Sequence, residues 1–326
     1  MTLTLLAGNT RVIYVAKQSA KGTAATTPVR KLRVTSDALD PGRSIITLPE
    51  TDSSSQSPQA VVAGAAPGGA FDTWLRPNDC DLLLYGLMGA TPSDSGSTNY
   101  THVLNPAQAT PYLTIWDVIP GVSTTKYVDC RVTQGTFSGQ SGQGIQASWT
   151  VAALSALVGQ TEPSQPSGFS ADVAMTYPQV TVTRGGTHNG DVDAFSVTVN
   201  RNGQYFVGDN GLTAADYVNG LFDVSGSMTI AFQNQQEYAA FNTGSTAGTA
   251  LTTTIYSQAL DLIIAIDSNT SIDFASSGIE YRAFPISLDT GGAPITVAAA
   301  FATKPQTTWS NNLAVTVKNQ NATVDA

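Results

Sequence analysis

The chain has two histidines, His102 and His188, and two cysteines, Cys80 and Cys130, so the side chains best suited to acid–base, nucleophilic or metal chemistry are scarce. His188 lies in the glycine-rich run TRGGTHNGDVD, where Asp191 or Asp193 would be placed to orient it as a general base. No nucleophile motif accompanies that pair. No GxSxG, HExxH, P-loop or dinucleotide-binding pattern occurs either. His102 follows Tyr100 and Thr101 at the start of a strand-like run, where a surface or core-edge side chain is expected. Cys80 sits in a helix-like run and Cys130 in a strand-like one, and their spacing fits neither a metal site nor a redox motif. Both read as small buried hydrophobes. Asp191, Asp193, Asp209 and Asn210 are oxygen ligands of the kind calcium takes, but they lack the EF-hand spacing, and turn formation is the commoner reason for such residues. The scarcity of glutamate (Glu50, Glu162, Glu237, Glu280) leaves little material for a glycosidase carboxylate pair. The expectation is a protein that is not an enzyme, with no catalytic, cofactor or metal residues.

The elements that would position any site are mostly strands. Period-two alternation runs through KLRVTS, SIITL, AFSVTVN, SMTIAF, ASWTVAAL and LAVTVKN. NRNG, between AFSVTV and QYFVG, predicts a hairpin turn. Two helices are expected. The first starts at Pro77, carries Asp79 and Asp81 in its opening turn and stops at Gly89. The second has Asn234 as N-cap, Glu237 three residues on as a capping box, Tyr238 and Phe241 on one face, and Gly244 at its end. A third short helix is suggested by TAADYVNG. Trp116 and Trp149 fall in alternating strands and predict core packing, which leaves Trp74 and Trp309 as the other candidates for an exposed aromatic platform.

A cassette of strands around one helix occurs twice. GGAFDT, the Pro77 helix, YLTIWDV, VDCRVTQGTFSG and GIQASWTVAAL correspond to VSGSMTI, the second helix, LDLIIAID, IEYRAFPISLD and PITVAAAFATK. Arg131 is set against Arg282 in this matching, and Ile145 against Ile295. The fold class predicted is mostly β (α+β): two tandem β-sandwich or partial-barrel modules, each with one short helix. Residues 1–158 form the first module with a basic N-terminal arm, 159–171 a linker, 172–305 the second module, and 306–326 a C-terminal extension whose polar end, KNQNATVDA, reads as mobile or as an arm.

Charged residues are only 12% of the chain, about half the usual share, and a surface of Ser, Thr, Gln, Asn and Gly suits burial against neighbours. Net charge is −9; residues 1–43 hold seven basic and two acidic residues, a net +5, which leaves −14 for the rest. A basic arm on an acidic body suggests head-to-tail contact between copies, with a solvated, partly disordered N-terminus as the plainer reading. The acidic total disfavours nucleic-acid binding by phosphate or base contacts. The N-terminus lacks the features of a signal peptide, and the longest apolar runs are too short to span a bilayer.

RVIYVAKQSAKGTAATTPVRKLRV and GGAFDTWLRPNDCDLLLYGLMGA resemble the first half of the major tail (tail tube) proteins of long-tailed bacteriophages. DAFSVTVNRNG and DVSGSMTIAFQNQQEYAAF resemble the second half, so that the similarity runs from about Arg11 to Lys304. The resemblance implies a virion protein, assembled in the host cytoplasm, whose copies form stacked rings around a bore that delivers the genome. It implies as partners other copies of the chain, a tape-measure protein, tail terminator and distal tail proteins, and phage DNA passing without sequence-specific binding. It implies no cofactor. Family rings have six modules, so a two-module chain predicts three chains per ring with pseudo-sixfold symmetry. Arg11, Lys17, Lys21, Arg30, Lys31 and Arg33 are then candidates for contact with the next ring. Deleting residues 1–20 is expected to block tube growth without unfolding the modules. The competing readings are a two-module β-sandwich adhesin, carbohydrate-binding or virion decoration protein, and a polysaccharide-degrading tail component.

Overall fold

A computed structural model describes residues 10–49, 59–166, 173–188, 190–209, 211–233, 235–287, 294–304 and 312–325. Asn234, Asn210, Trp309 and the Gly291–Gly292 turn lie outside them, as does the later part of the expected linker. The first half holds β1 (Val12–Lys17), β2 (Arg30–Leu32), β3 (Val34–Asp37), β4 (Arg43–Leu48), β5 (Gln59–Ala65), β6 (Gly68–Trp74) and α1 (Pro77–Met88). It continues with β7 (Ser93–Gly96), β8 (Tyr100–Leu104), β9 (Leu113–Ile119), β10 (Ser123–Gln140), β11 (Gln146–Ala152) and β12 (Ser155–Leu157). The second half holds β13 (Val180–Arg184), β14 (Thr187–His188), β15 (Val192–Asn200), β16 (Gln204–Phe206), β17 (Asp216–Val218), β18 (Asp223–Ala231) and α2 (Gln236–Thr243). It ends with β19 (Ser257–Asp267), β20 (Thr270–Ala283), β21 (Ile286–Ser287), β22 (Thr296–Thr303) and β23 (Ala314–Asn319).

The chain is mostly β, and its antiparallel pairings close no barrel. One strand order occurs twice: β1–β9–β10–β11–β6–β3, and again β13–β19–β20–β22–β18–β15. The irregularities repeat as well. A bulge at Thr133 on β10 faces Val151 and Thr150, and a bulge at Arg282 on β20 faces Phe301 and Ala300. Arg282 therefore matches Thr133, and Arg131 matches Glu280, which corrects the Arg131–Arg282 pairing by two residues. The Ile145–Ile295 match stands, since each lies five residues before Thr150 or Ala300, the residues that face the two bulges.

The halves are joined in two places. The C-terminal part of β10 pairs with β15 from Gln134–Asn200 to Gln140–Ala194. β23 pairs with both β20 and β8. The core is shared, with Phe137 and Phe274 rings 4.7 Å apart. β10 serves two layers because it bends. Its register shifts between Tyr127 and Cys130, where Asp129 adopts φ 56, a conformation that is uncommon outside glycine. The Asp129 carboxylate accepts the Gly22 N–H at 2.7 Å there.

α1 is buried along its whole length, and Gly89 closes it with an N–H bond to the Tyr85 carbonyl. α2 begins after Gln235, and Gly244 ends it in the left-handed conformation. Glu237 is 3.2 Å from Arg184 and faces the Tyr281 hydroxyl, and the capping box expected with Asn234 lies outside the described residues. Phe241 stacks on Phe284, as its place on the apolar face requires.

Four sequence expectations are corrected. NRNG does not join a hairpin of β15 with β16: Asn202 takes φ 44, and β16 pairs with β17 instead. TAADYVNG supplies strand β17 rather than a helix. The end of the chain is not a free tail: Asn319 and Val324 are fully buried, and the Asn319 and Asn321 amides donate to Asp81 on α1. Beyond Val12 the N-terminal segment is likewise no arm, because β1 pairs on both edges and buries Ile13, Tyr14, Val15 and Ala16. A deletion of residues 1–20 would therefore remove a core strand and cannot leave the fold intact.

Candidate functional site

The C-terminal half of β10 lies in an uninterrupted layer, β3–β6–β11–β10–β15–β18–β22. Because side chains alternate across a strand, this layer has two distinct faces. Phe71, Phe137, Trp149, Phe195, Met228 and Phe301 fill the inner face. The outer face carries Asp72 on β6; Gln146, Ser148 and Thr150 on β11; Gln134, Thr136, Ser138 and Gln140 on β10. It continues through Ser196 and Thr198 on β15, Ser225, Ser227 and Thr229 on β18, and Ala298 and Ala300 on β22. From β6 to β22 no lysine or arginine stands on that face among the described residues, and the carboxylates are Asp72 and Asp223. Hydroxyls tie neighbours together. Thr136 and Thr198 oxygens meet at 3.0 Å across the junction of the halves, and Ser36 donates to Asp72 at 2.6 Å. The result is a broad polar surface of mostly small side chains, with half-exposed Trp74 at the end of β6 and no cation among the described residues.

The six basic candidates of the N-terminal segment have partners within the chain. Arg11 bonds Asp117 at 2.7 Å and lies 2.8 Å from Asp37, which raises its pKa, the Asp117 bond being the main cause. Lys17 pairs with Asp325, Lys21 with Asp216 at 2.8 Å, and Arg30 with Asp81 at 2.9 Å. Arg33 lies 3.9 Å from Asp79, and Lys31 reaches Gln165 at 3.4 Å.

The residues weighed for chemistry are placed in structural roles. His102 is fully buried, with Nδ1 2.7 Å from Asp94 and Nε2 2.9 Å from the Asn319 side-chain oxygen, and so anchors β23. His188 faces the Val182 carbonyl at 3.0 Å and not an aspartate. Asp191 is gripped by Arg184 through both oxygens, at 2.9 and 2.8 Å. Cys80 and Cys130 are buried thiols, that of Cys80 pushed up to about 12 and that of Cys130 well above its ordinary value, both by desolvation. Trp116 and Trp149 are buried; Trp74 is half-exposed. No group of three or more His, Cys, Asp or Glu could hold a metal among the described residues, and no helix among them is long and apolar enough to cross a membrane.

Two features escaped sequence reasoning. Arg201, nearly fully buried, donates from Nε to the Leu87 carbonyl at 2.6 Å, from Nη1 to the Ala107 carbonyl at 2.7 Å, and from Nη2 to the Met88 carbonyl. Burial first, then Arg131, lowers its pKa to about 10. Asp273 on β20 lies diagonally across from Asp261 on β19, and it is pushed up to about 7 by burial first and then by that neighbouring carboxylate. The signal for that pair is an aspartate in each of two alternating runs, visible only once the register is known.

An extensive layer with a hydroxyl-rich outer face, two hairpins standing off it and histidines used as fasteners defines a β-rich assembly subunit. The family model for phage tail tube proteins matches residues 8–319, and the chain belongs to that family. It is thus a structural component of the phage tail, in a family that is not one of enzymes and whose members assemble into a tube. No curated protein matches the chain.

Proposed function

We propose that three copies close into a pseudo-sixfold ring, that rings stack into the tube, and that the cation-free face lines a bore for genome delivery. The observation that carries the reading is the β10–β15 junction. It joins the two halves of one chain through strands whose counterparts, β21 (which continues β20) and β3, are left with an unpaired edge each among the described residues. Repeating that junction between chains pairs β21 of one copy with β3 of the next, a head-to-tail contact that closes after three chains. The units repeated are the modules 1–158 and 172–305, joined by 159–171, with 306–326 as an extension. A bore lined by hydroxyls and a few carboxylates does not hold DNA, because binding to phosphates comes from lysine and arginine displacing counterions. Before ejection the same bore holds the tape-measure protein; the terminator and distal tail proteins cap its ends. Stacking is assigned to the basic N-terminal segment, where Lys17, Lys21 and Arg33 keep 32%, 40% and 35% of their side chains exposed.

Electron microscopy of purified tubes, with mass measurement of released rings, tests the reading. Three chains per ring are expected; six chains per ring would refute it.

A further inference from the structure

The duplicated strand order extends to the hairpins inserted in it. β4–β5 lies between β3 and β6, and β16–β17 lies between β15 and β18. The flanking ladders share a landmark: one extra residue, Thr35 on β3 and Asp193 on β15, interrupts the register at the same step. Counting seven residues on from Ser36 and Ala194, the positions just after it, reaches Arg43 in the first half and Arg201 in the second.

The second-half hairpin is docked inside the chain. Tyr205, Ala214 and Tyr217 pack on Ala152 and Leu154 of the first half. Arg201 starts that hairpin and delivers its guanidinium to the last carbonyls of α1, while its own N–H bonds the Thr133 carbonyl at 2.8 Å. A cation is favoured there because the C-terminal end of a helix carries partial negative charge and carbonyls without partners. Neither helix has a basic residue in its own last turn.

The first-half hairpin has no such seat. Arg43 is exposed, with no hydrogen-bond or ion-pair partner among the described residues, and Ile45, Ile46, Leu48 and Val62 of the hairpin are exposed as well. The matching seat exists in the second half. α2 ends at Gly244 as α1 ends at Gly89, each glycine N–H returning to a carbonyl four residues back. Beside that end lies a cavity of about 250 Å³ lined by Phe241, Thr252, Ile255, Tyr256, Tyr281 and Arg282. Arg282 is the counterpart of Thr133, whose carbonyl takes the Arg201 N–H. Leu251 and Ile255, 82% and 57% exposed, give the seat an apolar rim.

We infer that the β4–β5 hairpin docks on the second half of another copy of the chain, with Arg43 at the C-terminal end of that copy's α2. This rests on the ring reading and adds to it the clamp that would hold the β21–β3 junction. The Thr243 carbonyl, already bonded by the Thr252 hydroxyl at 2.8 Å, has a second lone pair for the guanidinium.

The test places a photo-crosslinking residue at Ile45 in the full chain, assembles tubes from a mixture of isotopically heavy and light protein, and maps the adducts by mass spectrometry. Adducts between copies within residues 241–256 are expected. Adducts confined to any other segment would overturn the inference. In parallel, Arg43→Glu should leave the melting temperature of the unassembled chain within about 1 °C and raise the protein concentration needed for assembly at least about tenfold. Unchanged assembly of that variant also counts against the clamp. A cysteine pair at Ala38 and Ser287 separates the two proposals, because it reports the β21–β3 junction directly. Covalent trimers from it alongside normal assembly of Arg43→Glu would sink the clamp and leave the ring.

Discussion

Replacing Arg201 by methionine should cost the unassembled chain about 3 kcal/mol. The guanidinium makes three charge-assisted hydrogen bonds to the Leu87, Met88 and Ala107 carbonyls and lies 4.8 Å from the Phe222 ring centre. Bonds to a charged group contribute roughly 1.5–3 kcal/mol each, so their loss is on the order of 4–9 kcal/mol. Against this stands the cost of holding a charge in the interior. The fall of the Arg201 pKa from 12.5 to about 10 corresponds to roughly 3 kcal/mol recovered when the charge is removed. Methionine fills much of the volume but leaves three buried carbonyls without donors, which places the net loss within the range of about 3–5 kcal/mol seen when one partner of a buried polar network is removed. The assay is urea denaturation below the assembly concentration, read as a shift of the midpoint at constant slope, since a changed slope would mean that only part of the structure unfolds. Arg43→Met is the control. Exposed and unpartnered, it should change the same midpoint by no more than about 0.5 kcal/mol. A loss below about 1 kcal/mol for Arg201→Met, or equal losses for both variants, would refute the account of Arg201 as an internal clamp.

Two further outcomes are expected. Asp273 has a folded-state pKa of about 7, above the ordinary carboxylate value, so the folded chain binds a proton that the unfolded chain has released, and stability falls as pH rises from about 4 to 7. Asp273→Asn removes that loss: it should stabilise the chain at pH 8 by on the order of 1 kcal/mol after allowing for solvent screening, and by much less at pH 4, as thermal melts at the two pH values would show. Trp149→Ala should cost about 3–5 kcal/mol in denaturant titration, because the indole packs edge-on to Phe137 at 5.3 Å and donates to Thr73 at 3.1 Å in a fully buried site.

Local signals in the sequence specify structure where the physics is local. Pro77 and Gly89 bracket α1 because a helix start tolerates a missing N–H and a helix end favours left-handed glycine. The alternation of AFSVTVN and ASWTVAAL marks two strands, and Trp149 is buried as its run predicts, because a strand with one buried side must repeat every two residues. NRNG misled because a turn-forming tetrapeptide says where a chain reverses and not which strand it then joins. The polar end of the chain misled for a related reason. Its asparagines looked solvated, yet His102, Asp81 and the Pro77 carbonyl supply partners from more than two hundred residues away.

By itself the sequence determined the class of element at most positions, the doubling of the strand cassette, the buried places of Trp116 and Trp149, and the scarcity of reactive groups. Those properties reside in period, composition and short-range sterics. Only the tertiary structure decided that the small polar residues of β6, β11, β10, β15, β18 and β22 share one face without a cation. It likewise decided that Asp273 is buried beside Asp261 and that Arg201 has a seat while its counterpart Arg43 has none. Each depends on strand pairing and register, which are set by contacts between residues far apart in the chain, and a one-residue slip in register would turn every one of those side chains to the opposite face.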